Sequence, residues 1–305
     1  MRRYLIRRLA RTIFALWGIS TVVFIVMRLS GDPAVLLLPQ EAKVEDVRRL
    51  RQELGLDDPF LVQYLRFLGN AVRGNFGESL RHREPAMHLV RSHLWATFEL
   101  SLAAFCIATV VAVPIGILAA VKPNSLYDHA AMSLALVGQS APTFWIGIML
   151  ILTFGLGLPW FPIGGRGTWR HLVMPAITLG AFAMASIARL TRSAMLEVTR
   201  LDYITTARAK GLSEGRVIWR HALKNAAIPV VTIMGLQFGA LLGGAVVTET
   251  VFSWPGIGRL AIQGIYNRDY PVVQAAVFSA AVFFVGINFV VDLLYTVLDP
   301  RIRYE

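Results

Sequence analysis

TFELSLAAFCIATVVAVPIGILAAV, residues 97–121, carries one charged side chain, Glu99, near its start and no other over the rest of its length. A helix needs ~20 largely apolar residues to cross ~30 Å of hydrocarbon, and this stretch meets that length. Five more stretches meet or approach it: roughly 9–29, 131–157, 172–193, 228–251 and 275–298, each bounded by charged, Gly or Pro-bearing sequence. Across the 305 residues 55% are hydrophobic and 16% are charged. An ordinary soluble domain carries about 25% charged residues, so a water-soluble fold is excluded and an all-α integral membrane protein with six transmembrane helices is expected.

The 30 Lys and Arg against 19 Asp and Glu give a net charge of +11, which suits either a nucleic acid or the cytoplasmic face of a membrane. Their placement decides for the membrane. Five Arg fall among the first eleven residues, and 189–224 holds eight basic residues (Arg189, Arg192, Arg200, Arg208, Lys210, Arg216, Arg220, Lys224) against three acidic ones. Basic residues are retained on the cytoplasmic side, so both regions belong inside, and with six spans both termini share that side. Segment 32–95, with nine basic and nine acidic residues, then falls outside. It shows helical periodicity from Ala42 to Leu54 and a turn at Gly74-Asn75-Phe76-Gly77-Glu78-Ser79, and is expected to form a small, mostly helical cap. The Arg-rich N-terminus resembles a signal peptide, but no small-residue cleavage site follows Thr12–Met27, so it reads as a retained first span.

The resulting division places the cytoplasmic N-terminus and first helix at 1–30 and an extracytoplasmic segment at 31–95. A five-helix core follows at 96–298, with a cytoplasmic loop at 194–227 and a cytoplasmic tail at 299–305. Pro114, Pro142, Pro175 and Pro229 lie inside spans, where such residues commonly face protein or a cavity and so hint at a path. Gly235, Gly239 and Gly243 form a groove for close helix approach, serving either packing within the chain or a subunit interface.

The cytoplasmic stretch Asp202-Tyr203-Ile204-Thr205-Thr206-Ala207-Arg208-Ala209-Lys210-Gly211-Leu212-Ser213-Glu214 predicts a short helix with Asp202 as N-cap and Gly211 in the left-handed position that ends it. Ser213 then caps a second helix on which Arg216, Arg220 and Lys224 share a face. That stripe suits anionic lipid headgroups as well as a protein partner.

This stretch, continued by His221-Ala222-Leu223-Lys224-Asn225-Ala226-Ala227-Ile228-Pro229, resembles the cytoplasmic loop of binding-protein-dependent ABC importer permeases, in particular the dipeptide, oligopeptide, glutathione and nickel branch. Further matches are Leu29-Ser30-Gly31-Asp32-Pro33, Leu54-Gly55-Leu56-Asp57, the Gly74–Gly77 turn, Phe252-Ser253-Trp254-Pro255-Gly256-Ile257-Gly258, Arg268-Asp269-Tyr270-Pro271 and Asp299-Pro300-Arg301-Ile302-Arg303-Tyr304. Together they cover essentially the whole chain. Thr205 and Thr206 stand where the wider superfamily has Glu-Ala, and Lys224 where it has Pro; the peptide branch shares these departures.

The resemblance implies a type-1 importer permease fold in a bacterial inner membrane, paired with a second homologous permease. Two ATPase subunits would dock below and an extracytoplasmic binding protein would deliver small peptides above. It implies that Tyr203, Thr206, Ala207, Arg208, Lys210, Gly211 and Leu212 form the ATPase-coupling helix, with Arg208 and Lys210 facing acidic residues of the ATPase. No Gly-x-x-x-x-Gly-Lys-Ser/Thr loop occurs, so ATP and Mg belong to the partners and no cofactor is expected on this chain. No metal or hydrolase motif occurs either: the six histidines are scattered and the single Cys106 has no partner.

Polar and ionisable groups within spans mark candidate path residues. Gln139, Ser140 and Pro142 form a mid-membrane break, and Gln237 offers a further polar group; each also suits helix-to-helix hydrogen bonding. Glu249 lines an entrance or binds the following loop, and Trp254 with Pro255 reads as an outer gate or an interfacial anchor. Glu99 is placed to reach headgroups, and Asp292 to pair with a basic residue. The rival reading is an intramembrane enzyme built on Asp292, Glu249 and the histidines, which would act without an ATPase partner.

Overall fold

The computed structural model describes residues 2–29, 34, 43–53 and 55–298, with side chains for 10–26, 34, 43–49, 51–52 and 55–291. The motif at 30–33, Leu54, the side chain of Asp292 and the 299–305 tail lie outside these residues. Every regular element described is helical, apart from one isolated antiparallel pairing of Glu78 with Pro85. In chain order the helices are α1 (Arg2–Leu29), α2 (Val44–Glu53), α3 (Phe60–Val72), α4 (Ala86–Val121), α5 (Leu126–Ser140) and α6 (Thr143–Gly157, its second half a π-turn). They continue as α7 (Trp169–Thr199), α8 (Asp202–Ala209), α9 (Glu214–Val251, with a π-turn at Val217–Ala222), α10 (Ile257–Tyr266) and α11 (Tyr270–Leu298).

Four of these, α4, α7, α9 and α11, are long and apolar enough to cross a membrane, and α5 with α6 makes a fifth if the pair counts as one span. The apolar part of α1, Ala10–Val26, is shorter. The expected third span is therefore not one helix: α5 and α6 bend by 109°. The cause is local. Ala141 takes an extended conformation (φ −74°, ψ 133°), as a residue before proline must, and Pro142 opens α6. Pro114, Pro175 and Pro229 remain inside continuous helices, so only one of the four prolines breaks its span. The other spans start earlier than hydropathy alone indicated, because α4 and α9 extend by more than two turns of polar helix beyond their apolar parts.

The chain separates into two compact units. The first comprises residues up to Thr97 with Pro255–Phe289. Its core joins Phe76, Leu89, Val90, Ile257, Leu260 and Val272, all buried. Asp269, itself buried, ties the turn at 74–79 to the start of α11: one carboxylate oxygen accepts the Ser79 hydroxyl at 2.5 Å while the other caps the Val272 N–H. Two motifs 190 residues apart thus meet in one buried hydrogen-bond cluster.

The second unit runs from Phe98 to Trp254 and takes up the chain again at Val290. Here α7 is central and packs on α5, α6 and α9; its buried face is mostly Ala, Gly, Ser and Thr, which lets backbones approach closely. A Cβ on Gly116 would stand 2.6 Å from the Ala188 carbonyl oxygen, and one on Gly180 would stand 2.9 Å from that of Ala104. These two glycines set the α4 to α7 approach. Of the glycines expected to form a groove on α9, Gly239 is buried and Gly243 exposed.

Candidate coupling site and translocation path

The short helix α8 forms as the spacing requires, with one correction at its start. Leu201 occupies the N-cap and Asp202 is the first helical residue, where its charge complements the positive end of the helix. Gly211 adopts φ +76° and its N–H donates to the Arg208 carbonyl, while the Leu212 N–H reaches back to Ala207. This is a left-handed C-terminal stop of the kind only glycine makes without strain. Ser213 occupies the N-cap of α9 without a side-chain cap.

Amphipathicity then decides which side chains are available. Ile204 (0% exposed) and Ala207 (7%) enter a cluster made by the ends of α4 (Ile117, Ala120), α7 (Ala194, Met195, Val198) and α9 (Val217, Ala222, Ala226, Val230). Tyr203, Thr206, Arg208, Lys210 and Gly211 are exposed, and Leu212 is half-buried. Ala207 is thus an anchor facing the chain's own core. Tyr203 is held from behind, its hydroxyl accepting from Asn225 Nδ2 at 2.7 Å. Arg208 pairs with Glu214, Nε to Oε1 at 2.8 Å, so its charge is already engaged within the loop. Arg216, Arg220 and Lys224 are all exposed, keeping the positive stripe on the first turns of α9. The helix α8 thus packs on the ends of three long helices through this cluster of apolar contacts.

A second anchor joins α5 to α7 and was not singled out from the sequence. Asp128, buried at the start of α5, accepts two bonds from Arg192 of α7, at 2.5 and 2.6 Å, and a third from the Asn124 N–H at 2.9 Å. The signal was the pair of basic residues Arg189 and Arg192 one turn apart on α7; their acidic partner sits 64 residues upstream of Arg192. Arg189 instead reaches Gln139 in the last turn of α5, Nη1 to Oε1 at 2.8 Å, just before the break between α5 and α6.

The other candidate path residues divide by burial. Ser140 and Pro142 are exposed at the break, and Gln139 and Gln237 are half-buried. Glu249 and Trp254 are fully buried, and the Trp254 N–H bonds to the Glu249 carbonyl at 2.8 Å. The carbonyl of Phe252 accepts the Gly165 N–H at 2.8 Å, fastening this turn to the segment before α7. Arg166 from that segment lies 5.9 Å over the Trp254 ring and pairs with Glu99. Glu99 therefore has a protein partner where headgroup contact was expected. Among the described residues, no three His, Cys, Asp or Glu side chains come together as a metal site.

Comparison with known proteins agrees with this arrangement. Residues 112–304 match the model of the binding-protein-dependent transport system inner membrane component, and residues 1–100 match the N-terminal model of the membrane components of the same systems. The chain is 44% identical, over the full length of both proteins, to the di/tripeptide transport system permease protein of Pseudomonas aeruginosa. It is equally similar to the dipeptide transport system permease protein of Alkalihalophilus pseudofirmus and to the glutathione transport system permease protein of Escherichia coli K12. Among solved structures, inward-facing forms of a methionine ABC transporter match with a TM-score of 0.60 at 19% identity, over 70% of this chain and 97% of that one. An amino acid ABC transporter matches with a TM-score of 0.53 at 16% identity, over 70% of this chain and 94% of that one. At these identities the likeness is one of fold, that of type-1 importer permeases. The chain belongs to the binding-protein-dependent transport system inner membrane components: it is a non-catalytic, membrane-spanning permease subunit of an ABC importer, in which ATP is bound by partner subunits.

Proposed function

We propose that the chain forms half of the translocation path for dipeptides, with glutathione, itself a small peptide, as the next choice. The observation that carries this reading is the full-length identity of 44% to permeases of both kinds. It works beside a second homologous permease, above two ATPase subunits holding ATP and Mg, and below an extracytoplasmic binding protein. All six apolar stretches cross the membrane, with both termini in the cytoplasm. The bent α5 and α6 count as one span, and the exposed Ile13, Phe14, Trp17, Val22 and Val26 on α1 support its contact with lipid. ATP binding draws the ATPases together, α8 moves with them through Tyr203, Thr206, Arg208, Lys210, Leu212 and the Gly211 turn, with Ala207 anchoring the helix to the chain's own core, and the path switches sides. Gln139, Ser140, Pro142, Gln237, Glu249 and Trp254 line that path.

The test is uptake by the complex recovered with the tagged chain, reconstituted with its binding protein and given ATP. Dipeptide uptake that glutathione does not compete with supports the first choice, and the reverse supports the second. Uptake of neither, nor of an oligopeptide, the other next choice, in a complex that hydrolyses ATP in response to its binding protein, rejects the peptide assignment.

A further inference from the structure

In the first unit, helix α3 carries more apolar surface than its own packing uses. Tyr64, Phe67 and Ala71 turn toward α1 and the core: the Tyr64 hydroxyl bonds to Thr21 Oγ1 at 2.5 Å, and Phe24 of α1 meets the rings of Phe60, Tyr64 and Phe67 at 5.3–5.4 Å. Leu61, Leu65, Leu68 and Val72, at i, i+4, i+7 and i+11, form a second stripe on another face, about 16 Å long at 1.5 Å per residue. Leu61 is 65% exposed, Leu65 58% and Val72 85%, with Leu68 half-buried among them. The helix's polar side chains do not soften that stripe. Gln63 Nε2 donates to the Leu56 and Asp58 carbonyls, Tyr64 is bonded to Thr21, and Arg66 is paired with Asp58 at 2.7 Å.

The residues that hold α3 identify its surroundings. Thr21 and Phe24 lie within Ala10–Val26, the apolar segment of α1, whose neighbouring Val22 and Val26 are 59% and 51% exposed. A helix fastened to α1 at that level stands at the depth where α1 meets lipid. An aqueous cap would leave an unbroken apolar stripe in water, whereas a helix lying in the plane of the interface sinks such a stripe into the boundary between headgroups and acyl chains.

We infer that α3 is an in-plane membrane helix whose Leu61, Leu65, Leu68 and Val72 face inserts into the bilayer interface. The region after the first span is then, at α3, a lipid-contacting collar around α1 and not a free cap. This rests on the reading of α1 as a membrane span, but not on the substrate.

The test is spin-label accessibility on the full chain assembled with its partners in phospholipid vesicles. Cys106→Ser provides the background, and Leu61→Cys, Leu65→Cys and Val72→Cys are labelled one at a time. Val22→Cys on α1 and Arg48→Cys on the hydrophilic α2 serve as references. Collision with apolar oxygen relative to a water-soluble nickel chelate is expected to be several-fold higher at the three α3 sites than at Arg48, and to approach that at Val22. A ratio equal to that at Arg48 would place α3 in water and overturn the inference. Low collision with both reagents would overturn it in favour of a protein partner on this face. A water-like ratio at Val22 would instead remove the membrane placement of α1, which separates failure of that reading from failure of this one.

Discussion

At Gly211 the backbone, not the space around it, sets what is tolerated. A Cβ there would meet nothing within 4 Å, yet φ is +76°, so Gly211→Ala is expected to cost about 1–2 kcal/mol through conformation alone, and Gly211→Asn less. Gly211→Pro cannot adopt that angle and also removes the N–H that closes the turn on Arg208. It is expected to abolish uptake while the chain still inserts, as measured by transport alongside membrane fractionation; normal uptake by the Pro variant would remove α8 from the coupling route. Arg208 poses a different question, because it is bonded to Glu214. With 43% and 61% of the two side chains exposed, that pair contributes at most about 1 kcal/mol, too little for its loss to stop transport. Arg208→Glu is therefore expected to abolish uptake through lost contact with the ATPase, and the swap Arg208→Glu with Glu214→Arg is expected not to restore it. Recovery in the double variant would show that Arg208 serves only the loop. The helix stop was legible in the sequence because it depends on neighbours in the chain. The Glu214 partner of Arg208, six residues away across a turn, depended on how the chain folds back.

At the scale of elements, the four long apolar helices were legible because hydrophobic length is a local property, and the break at Ala141–Pro142 that bends the expected third span into α5 and α6 was signalled by its proline. Proline alone did not suffice as a guide: Pro114, Pro175 and Pro229 sit in unbroken helices. A glycine need not belong to a regular series to matter: the approach of α4 to α7 is set by the isolated Gly116 and Gly180, whose constraint comes from a carbonyl on another helix. Since a Cβ at Gly116 would also stand 2.6 Å from Thr191 Cβ, the neighbour cannot yield by a side-chain rotation. Gly116→Val is expected to destabilise by about 1–3 kcal/mol, or more if α7 cannot shift, read as a lower melting temperature of the purified complex. Gly244→Ala, where a Cβ meets nothing within 4 Å, serves as the tolerant control. Equal melting temperatures for both variants would refute the close approach of α4 and α7.

For the whole molecule, the distribution of burial among the proposed path residues bears on alternating access. Ser140 and Pro142, at the break, are exposed within the chain, whereas Glu249 and Trp254 have no exposure at all. A path that opens on one side at a time must close one such group when it opens the other, and only a differential interaction with nucleotide, supplied through the ATPases, can shift that balance. If these residues line the path as proposed, it is closed at the 249–254 turn, where Phe252 is bonded to Gly165 and Trp254 lies beneath Arg166. In a Cys106→Ser background, Ser140→Cys in the nucleotide-free complex is accordingly expected to react with a maleimide supplied from the cytoplasmic side. Trapping with ATP and vanadate should slow that reaction by at least about tenfold, which corresponds to a population shift of about 1.4 kcal/mol. The double variant Gly211→Pro with Ser140→Cys separates transmission through α8 from any other route. If α8 transmits the nucleotide signal, Gly211→Pro will leave the Ser140→Cys reaction fast even when nucleotide is trapped on the ATPases. If the reaction still slows tenfold with the stop at Gly211 destroyed, the signal reaches the break between α5 and α6 by a route that bypasses α8, and the coupling assignment falls with it.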